Sequence, residues 1–288
     1  PSASQIHFLQ GQISWALGDV QKARDAYAKA AELDPESVAA LAGQIEVDLF
    51  LKNESAAREK IKKALASMSK SSALLDVAGR TYFVMGDTKP AEAALLEAVN
   101  LDPSNRDAFA HLTSLYGTQG RLDEALRLFE TTKLPPIVSL TLQGIVLSLQ
   151  GKSGSAQQKY EQAIAIDPGA PVAANNLAFL YAEQGQNLEV AQQLAQTAKA
   201  KLPEDPEVSD TLGWVYYRKG LADLAVTAFK EGLTRDKNNP VLHYHLGLAY
   251  AKNGDKPEAR RALEQALKLN PTFPGSDDAK RVLTSLKG

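Results

Sequence analysis

The chain has 288 residues, with 34 acidic and 32 basic side chains, a 44% hydrophobic fraction, a 23% charged fraction and no cysteine. That balance belongs to a folded, water-soluble chain, and a formal charge of −2 offers no basic field to hold a phosphate backbone, so nucleic acid is not an expected partner. The missing cysteines remove disulfides, thiolate nucleophiles, zinc–cysteine sites and iron–sulfur clusters, and no run of 18 apolar residues offers a membrane span.

Opening on Pro1 with no charged-then-apolar leader, the sequence is expected to be a fragment or mature segment. From there it repeats itself. A small residue followed four positions later by an apolar, usually large one recurs as Ala23/Tyr27, Ala57/Ile61, Ala91/Leu95, Ala125/Phe129, Ala156/Tyr160, Ala191/Ala195, Ala225/Phe229 and Ala259/Leu263. The first members are spaced by 34, 34, 34, 31, 35, 34 and 34 residues. Three residues further on, the side chain is small again (Ala30, Ala64, Ala98, Thr132, Ala163, Ala198, Gly232, Ala266), which gives one helix face with a narrow seam.

A second helix precedes each of these faces. Gly18, Gly86, Gly120, Gly151, Gly185, Gly220 and Gly254 mark its end, with Lys52–Asn53 in their place once, because glycine adopts the left-handed conformation of a helix terminus at little cost. Seven residues before each turn stands a small residue where helices approach closely: Gly11, Gly79, Thr113, Gly144, Ala178, Gly213 and Gly247. Between them lies an aromatic wedge in most units (Tyr82, Tyr116, Tyr181, Tyr216, Tyr250), and Pro35, Pro103, Pro168, Pro203 and Pro271 stop the second helix.

In chain order the units are expected at 4–37, 38–71, 72–105, 106–136, 137–170, 171–205, 206–239 and 240–273. The first has Ser14 at the wedge. The second has Asp48 there and Ile45 in the glycine column. The fourth is short and ends at Pro135–Pro136, so Leu134–Val138 reads either as a joint with a change of pitch or as an ordinary shortened loop. The sixth carries one extra residue before Ala191. Residues 274–288 read as a terminal cap: Ala279, Val282, Leu283 and Leu286 cover the last seam, while Asp277, Asp278, Lys280, Arg281 and Lys287 stay in water.

These columns resemble the tetratricopeptide repeat, a helix–turn–helix unit, over essentially the whole chain from Ser4 to Phe273. The resemblance implies an all-α fold: a right-handed superhelical α-solenoid of antiparallel helix pairs, about eight units in one array plus the capping helix, with the first helix of each pair on the concave wall.

Catalytic and metal sites are not expected. His243 and His245 are two apart and cannot share a metal on one helix, and His243 shares a column with Leu41, Leu75, Phe109 and Leu140, which favours core packing. Gly151-Lys152-Ser153 lacks the earlier glycine of a phosphate loop, where Val146 stands. The acid pairs Asp277–Asp278 and Glu204–Asp205 lie at helix starts, where carboxylates favour the helix dipole, and are read as helix caps. No enzyme activity, cofactor or metal is therefore expected.

Binding remains. Residues spaced i, i+4, i+7 between the packing columns of each first helix face the groove. They run Phe8, Gln12, Trp15; Ala42, Glu46, Leu49; Asp76, Arg80, Phe83; Ala110, Ser114, Gly117; Thr141, Ile145, Ser148; Asn175, Phe179, Ala182; Asp210, Trp214, Tyr217; and Tyr244, Leu248, Ala251, flanked by Phe50, His111, Arg218, His245 and Lys252. Aromatics gather towards both ends and small residues (Ala110, Ser114, Gly117, Thr141, Ser148) floor the middle. The pattern predicts two aromatic patches separated by a shallow saddle, holding an extended segment or helix of a partner protein. Trp214, Tyr217 and Arg218 lead the candidates. In the competing reading, Trp15, Phe50 or Phe83 belongs to the core.

The basic residues Arg58, Lys60, Lys62, Lys63 and Lys70 read as a solvated outer face. The carboxylate-gripping cluster of Lys, Asn and Arg used by some chaperone-binding relatives is not matched, since Asn175 and Asn176 are followed by Asp210 and Thr211. The family's long asparagine ladder is also missing. The runs Asn175-Asn176-Leu177-Ala178 and Asp210-Thr211-Leu212-Gly213-Trp214 look like bacterial members serving envelope assembly, export or exopolysaccharide secretion. The resemblance thus implies a non-catalytic scaffold in a bacterial periplasm or cytoplasm. The alternatives are a regulatory or substrate-recruiting arm of a larger enzyme or secretion machine, and a scaffold that self-associates weakly through its first repeat, where Ile6, Phe8, Leu9, Ile13, Trp15 and Leu17 carry few charges between them.

Overall fold

A computed structural model of the chain describes residues 1–131 and 134–286. The small-column residue Thr132 and the cap residue Lys287 lie outside the described residues. All regular structure among the described residues is helical, and the chain divides by its internal contacts into two compact units, 1–138 and 139–288.

The first unit holds α1 (Ala3–Ala16), α2 (Val20–Leu33), α3 (Val38–Phe50), α4 (Glu54–Ser67), α5 (Ser72–Val84), α6 (Thr88–Leu101), α7 (Arg106–Thr118) and α8 (Leu122–Thr131). Helix α9 (Pro136–Leu149) begins at the proline pair and carries the chain into the second unit. That unit continues with α10 (Ser153–Ile166), α11 (Pro171–Gln184), α12 (Leu188–Lys201), α13 (Pro206–Arg218), α14 (Ala222–Arg235), α15 (Pro240–Lys252), α16 (Lys256–Leu269) and α17 (Ser276–Ser285). Within each unit, successive pairs stack, second helix on the next first helix and first helix on first helix, as in α2–α3, α6–α7, α12–α13, α11–α13 and α13–α15. Each unit is an α-solenoid of helix pairs.

The local signals act as their chemistry requires. Ser37, Ser71, Asn105, Asp205 and Asn239 cap the first helices α3, α5, α7, α13 and α15, each accepting from backbone N–H groups of the first turn. Pro171, Pro206 and Pro240 stand in first turns, where a missing N–H costs nothing.

Every predicted turn glycine has positive φ, from 67° at Gly185 to 82° at Gly220 and Gly254, and Lys52 adopts φ 58° in the one turn without glycine. In all eight turns the N–H just past this residue donates back to a carbonyl five residues earlier, at 2.8 to 3.0 Å: Asp19 to Ser14, Asn53 to Asp48, Asp87 to Tyr82, Arg121 to Tyr116, Lys152 to Leu147, Gln186 to Tyr181, Leu221 to Tyr216 and Asp255 to Tyr250. The wedge column is therefore also the column whose carbonyl closes the turn. The extra residue of the sixth repeat is absorbed at Asn187, which stands in the left-handed region with φ 48° before α12.

The small columns are small because the facing column is large. A Cβ on Gly11 would sit 2.6 Å from the Tyr27 ring, and one on Gly213 the same distance from Phe229. In the sixth repeat the sizes change hands: Ala178 replaces glycine, Ala195 replaces the large residue, and both are fully buried. The cap α17 buries Ala279 with Leu263, Ala266 and Phe273, and Val282, Leu283 and Leu286 pack on that cluster.

Three local expectations are corrected. His243 is partly exposed, its Nε2 2.9 Å from the Lys237 carbonyl, so it is not a core histidine. Asp277 and Asp278 do not cap α17, whose N-cap is Gly275; they sit in its first turn and pair with Lys280 and Arg281. On the basic face, Lys60 is half-buried and pairs with the buried Asp48, whereas Arg58, Lys62, Lys63 and Lys70 are exposed, Arg58 beside Asp87 and Lys70 beside Glu97.

Candidate partner-binding cleft

In the second unit, the inner faces of α11, α13 and α15 enclose a cleft of about 520 Å3. Helix α11 supplies Asn175, Asn176, Phe179 and Glu183; α13 supplies Glu207, Asp210, Thr211 and Trp214; α15 and its N-cap supply Asn239, Val241, Tyr244 and His245, and the segment between α16 and α17 supplies Pro274. The contributions follow helical spacing: 175, 179 and 183 lie on one stripe of α11, and 207, 210 and 214 on one stripe of α13.

The walls are fixed by hydrogen bonds between neighbouring first helices. Trp214 Nε1–H donates to Glu183 Oε1 at 2.7 Å, joining α13 to α11. His245 Nδ1 lies 2.7 Å from Asp210 Oδ1, joining α15 to α13. Trp214 stacks on His245, with ring centroids 4.5 Å apart, and on Tyr217 at 5.1 Å. The Arg218 guanidinium lies over the Trp214 ring and donates to the Glu183 carbonyl at 3.0 Å. Tyr244 packs against Phe273 and donates its hydroxyl to Asp278 Oδ2 at 2.8 Å, and burial first, then this carboxylate, holds its pKa well above the usual phenol value. Burial likewise raises that of Tyr217. The hydroxyl of Tyr244 therefore stays a donor across the physiological range.

One polar atom has no such bond. Asn175 is 6% exposed, lines the cleft, and keeps its side-chain Oδ1 buried without a hydrogen-bond partner. An unsatisfied buried acceptor costs about 1–3 kcal/mol, which makes it unusual in a native fold.

The cleft thus brings together Asn175, Phe179, Asp210, Trp214, Tyr244 and His245 of the expected site residues. It leaves out Tyr217, Arg218 and Lys252. Tyr217 packs on the core around Phe229, and Lys252 bonds its carbonyl at 2.8 Å and sits over its ring. These three support the cleft wall from behind. Sequence reading passed over Glu183, Glu207, Asn239, Val241 and Pro274, although Glu183 falls four residues after Phe179 on the same stripe.

In the first unit the expected residues are spread over several surroundings among the described residues. Phe8 and Trp15 pack against the core formed by Ala23, Tyr27 and Val47, so both are partly core. Trp15 meets Phe50 edge-on at 5.2 Å, yet Phe50 is 62% exposed and is not a core residue. Gln12 and Ser114 are exposed and Phe83 is half-buried. Glu46 and Arg80 line a hollow of about 160 Å3 with Ile45, Leu49, Thr81 and Val84. His111 Nδ1 lies 2.7 Å from Asp76 Oδ1. In the second unit Thr141, expected on an open saddle, is 2% exposed. Among the described residues no cluster of three or more His, Cys, Asp or Glu side chains could hold a metal, and no helix is long and apolar enough to cross a membrane.

Comparison with known proteins fits this architecture. Family models described as tetratricopeptide repeat match residues 4–37, 74–105, 108–131, 147–215 and 240–273, and one described as TPR repeat matches 213–254. The peroxisomal targeting signal receptor of Saccharomyces cerevisiae is 26% identical over 184 residues, which is 63% of this chain and 26% of that protein. Anaphase-promoting complex subunit CDC16 of the same yeast is 23% identical over 201 residues, 66% of this chain and 24% of that protein. The chain spans about a quarter of the length of these curated relatives. Among solved structures, the APC/C hetero-tetramer Cut9–Hcn1 covers 93% of this chain and 53% of its own, with a TM-score of 0.60 at 16% identity, a likeness of fold alone. With its columns, turns and helix pairs accounted for one by one, the chain belongs to the tetratricopeptide repeat family.

Proposed function

We propose that the chain is a non-catalytic protein-interaction scaffold, one array of repeats over 4–273, that holds an extended segment of a partner protein in the cleft of α11, α13 and α15. The observation that carries this reading is the cleft itself: about 520 Å3, walled by aromatic rings tied between neighbouring helices, with a buried acceptor left open at its floor. Rigid aromatic walls around a few polar groups are the usual anatomy of a peptide-holding surface. The named relatives, a targeting-signal receptor and a subunit of a multiprotein complex, fit this reading. The acid-lined cleft and the charge of −2 disfavour a nucleic-acid strand.

A second reading has one observation of its own. Ile6, Leu9, Ile13 and Leu17 of the first repeat are 44–80% exposed, a stripe through which two copies could associate weakly. Light scattering at two protein concentrations tests it, and a constant monomer mass removes it.

For the leading reading, random peptides displayed on phage are selected on the full chain, and the enriched peptides are then measured on Phe179→Ala and on Asn176→Trp, which fills the cleft. The expected outcome is a loss of about 2 kcal/mol or more in affinity with little change in melting temperature. Unchanged affinity in both variants refutes the cleft as the binding surface.

A further inference from the structure

The chemistry of the cleft is one-sided. Its lining contains three carboxylates, Glu183, Glu207 and Asp210, and neither lysine nor arginine. Glu183 receives the Trp214 N–H and has the Arg218 guanidinium 3.9 Å from the same oxygen, and Asp210 faces His245, yet a carboxylate has about four lone-pair sites, so acceptor capacity remains on each. Separately from this charge, the floor holds Asn175 Oδ1, an acceptor 6% exposed in its residue and paired with nothing. Both observations ask the occupant for N–H donors, and the carboxylates ask for positive charge. Phe179, 37% exposed, adds an open aromatic surface at the mouth.

Resting on the reading of the cleft as a partner-binding surface, we propose that it takes the guanidinium of an arginine in the bound segment. A guanidinium is planar, permanently charged, rich in donors and able to lie on an aromatic face, whereas an ammonium is a compact, strongly hydrated point charge that fills this shape less well. The chain's own Arg218 shows the same affinity on the outer side of the wall, over Trp214 and on the Glu183 carbonyl. The donors of the incoming arginine meet the carboxylates of Glu183 and Asp210, a small opening of the floor brings the buried Asn175 Oδ1 within reach, and the arginine stem lies along Phe179. Asn175 is kept, on this account, for the bound state and at the expense of the free one.

The test uses the phage-selected peptides on the full chain. Enriched sequences should share an arginine, and replacing it by citrulline or lysine should weaken binding about tenfold or more. Glu183→Gln keeps an acceptor for Trp214 but removes a charge, and should weaken binding and flatten its salt dependence. Asn175→Leu removes the orphan acceptor; it should weaken binding while leaving the melting temperature of the free protein equal or higher. Peptides that lose affinity on Asn176→Trp yet tolerate citrulline would overturn the arginine and leave the cleft reading standing. Lysine binding as tightly as arginine would overturn the guanidinium. Peptides indifferent to every cleft variant, or no enriched peptide at all, would defeat both.

Discussion

The two units carry the same polar pair and put it to different use. Asp76 and His111 on α5 and α7, and Asp210 and His245 on α13 and α15, are both 35 residues apart and both meet at 2.7 Å. The pair joins neighbouring first helices in each unit. What differs is one turn further along: Arg80 follows Asp76, whereas Trp214 follows Asp210. The preceding helix offers Ala42 and Glu46 in the first unit but Asn175 and Phe179 in the second, and the following helix offers Ala110 against Tyr244. Trp214 stacks on His245 and shields it, so the histidine side chain is 10% exposed where that of His111 is 32%. The repeat thus supplies a common frame, and a handful of inner-face side chains decides whether that frame encloses a cleft.

Breaking the frame should have the largest effect. Gly213→Ala forces a Cβ against Phe229 and should cost about 1–3 kcal/mol. Urea unfolding followed at Trp214, with Trp15→Phe to silence the other tryptophan, measures it. Breaking the polar pairs should at most match that loss and should separate the units. Asp210→Ala leaves the shielded His245 unpaired and should cost about 1–3 kcal/mol, whereas Asp76→Ala returns His111 to water and should cost about 1 kcal/mol or less. Each tryptophan reports its own unit. Equal losses would mean that the shielding by Trp214 is irrelevant.

The smallest effect is alkaline. Burial, and then a hydrogen bond to Glu161, pushes the Tyr181 phenol from 10.0 to about 12, and burial also raises Tyr116 and Tyr160. A group whose folded pKa is raised stabilises the fold fully below its unfolded value and loses that contribution as pH climbs through the folded value. Stability should therefore be flat up to about pH 10 and fall between 10 and 12. Helix content by circular dichroism and the Tyr181 tyrosinate absorbance, isolated as the difference from Tyr181→Phe, should change together. Tyr181 tyrosinate appearing at pH 10 in that difference, with the helices intact, would contradict it.

Much of the frame was legible beforehand because it rests on local chemistry. Left-handed φ favours glycine, helix starts favour Ser, Asp or Asn, and a large residue such as Phe229 needs a glycine opposite, so most columns print themselves into the sequence. The cleft was legible only in part. Helical spacing placed Asn175, Phe179, Asp210, Trp214 and Tyr244 on one face, but spacing is blind to which ring covers which. Tyr217 occupies a groove column yet is half-buried beside the core around Phe229, stacked on Trp214 and met by the Lys252 ammonium. Phe50 lies off the stripe and remains exposed. Whether Asn175 would find a partner could not be read from a linear pattern, since its neighbours come from helices some 35 residues apart in the chain.

The indole N–H signals test the central claim most directly, since the chain has two tryptophans, Trp15 in the first unit and Trp214 at the cleft. On titrating a phage-selected peptide into isotope-labelled full chain, the account predicts that the Trp214 Nε1–H resonance moves and saturates while that of Trp15 stays in place. A saturating shift at Trp15 with Trp214 unmoved would contradict it.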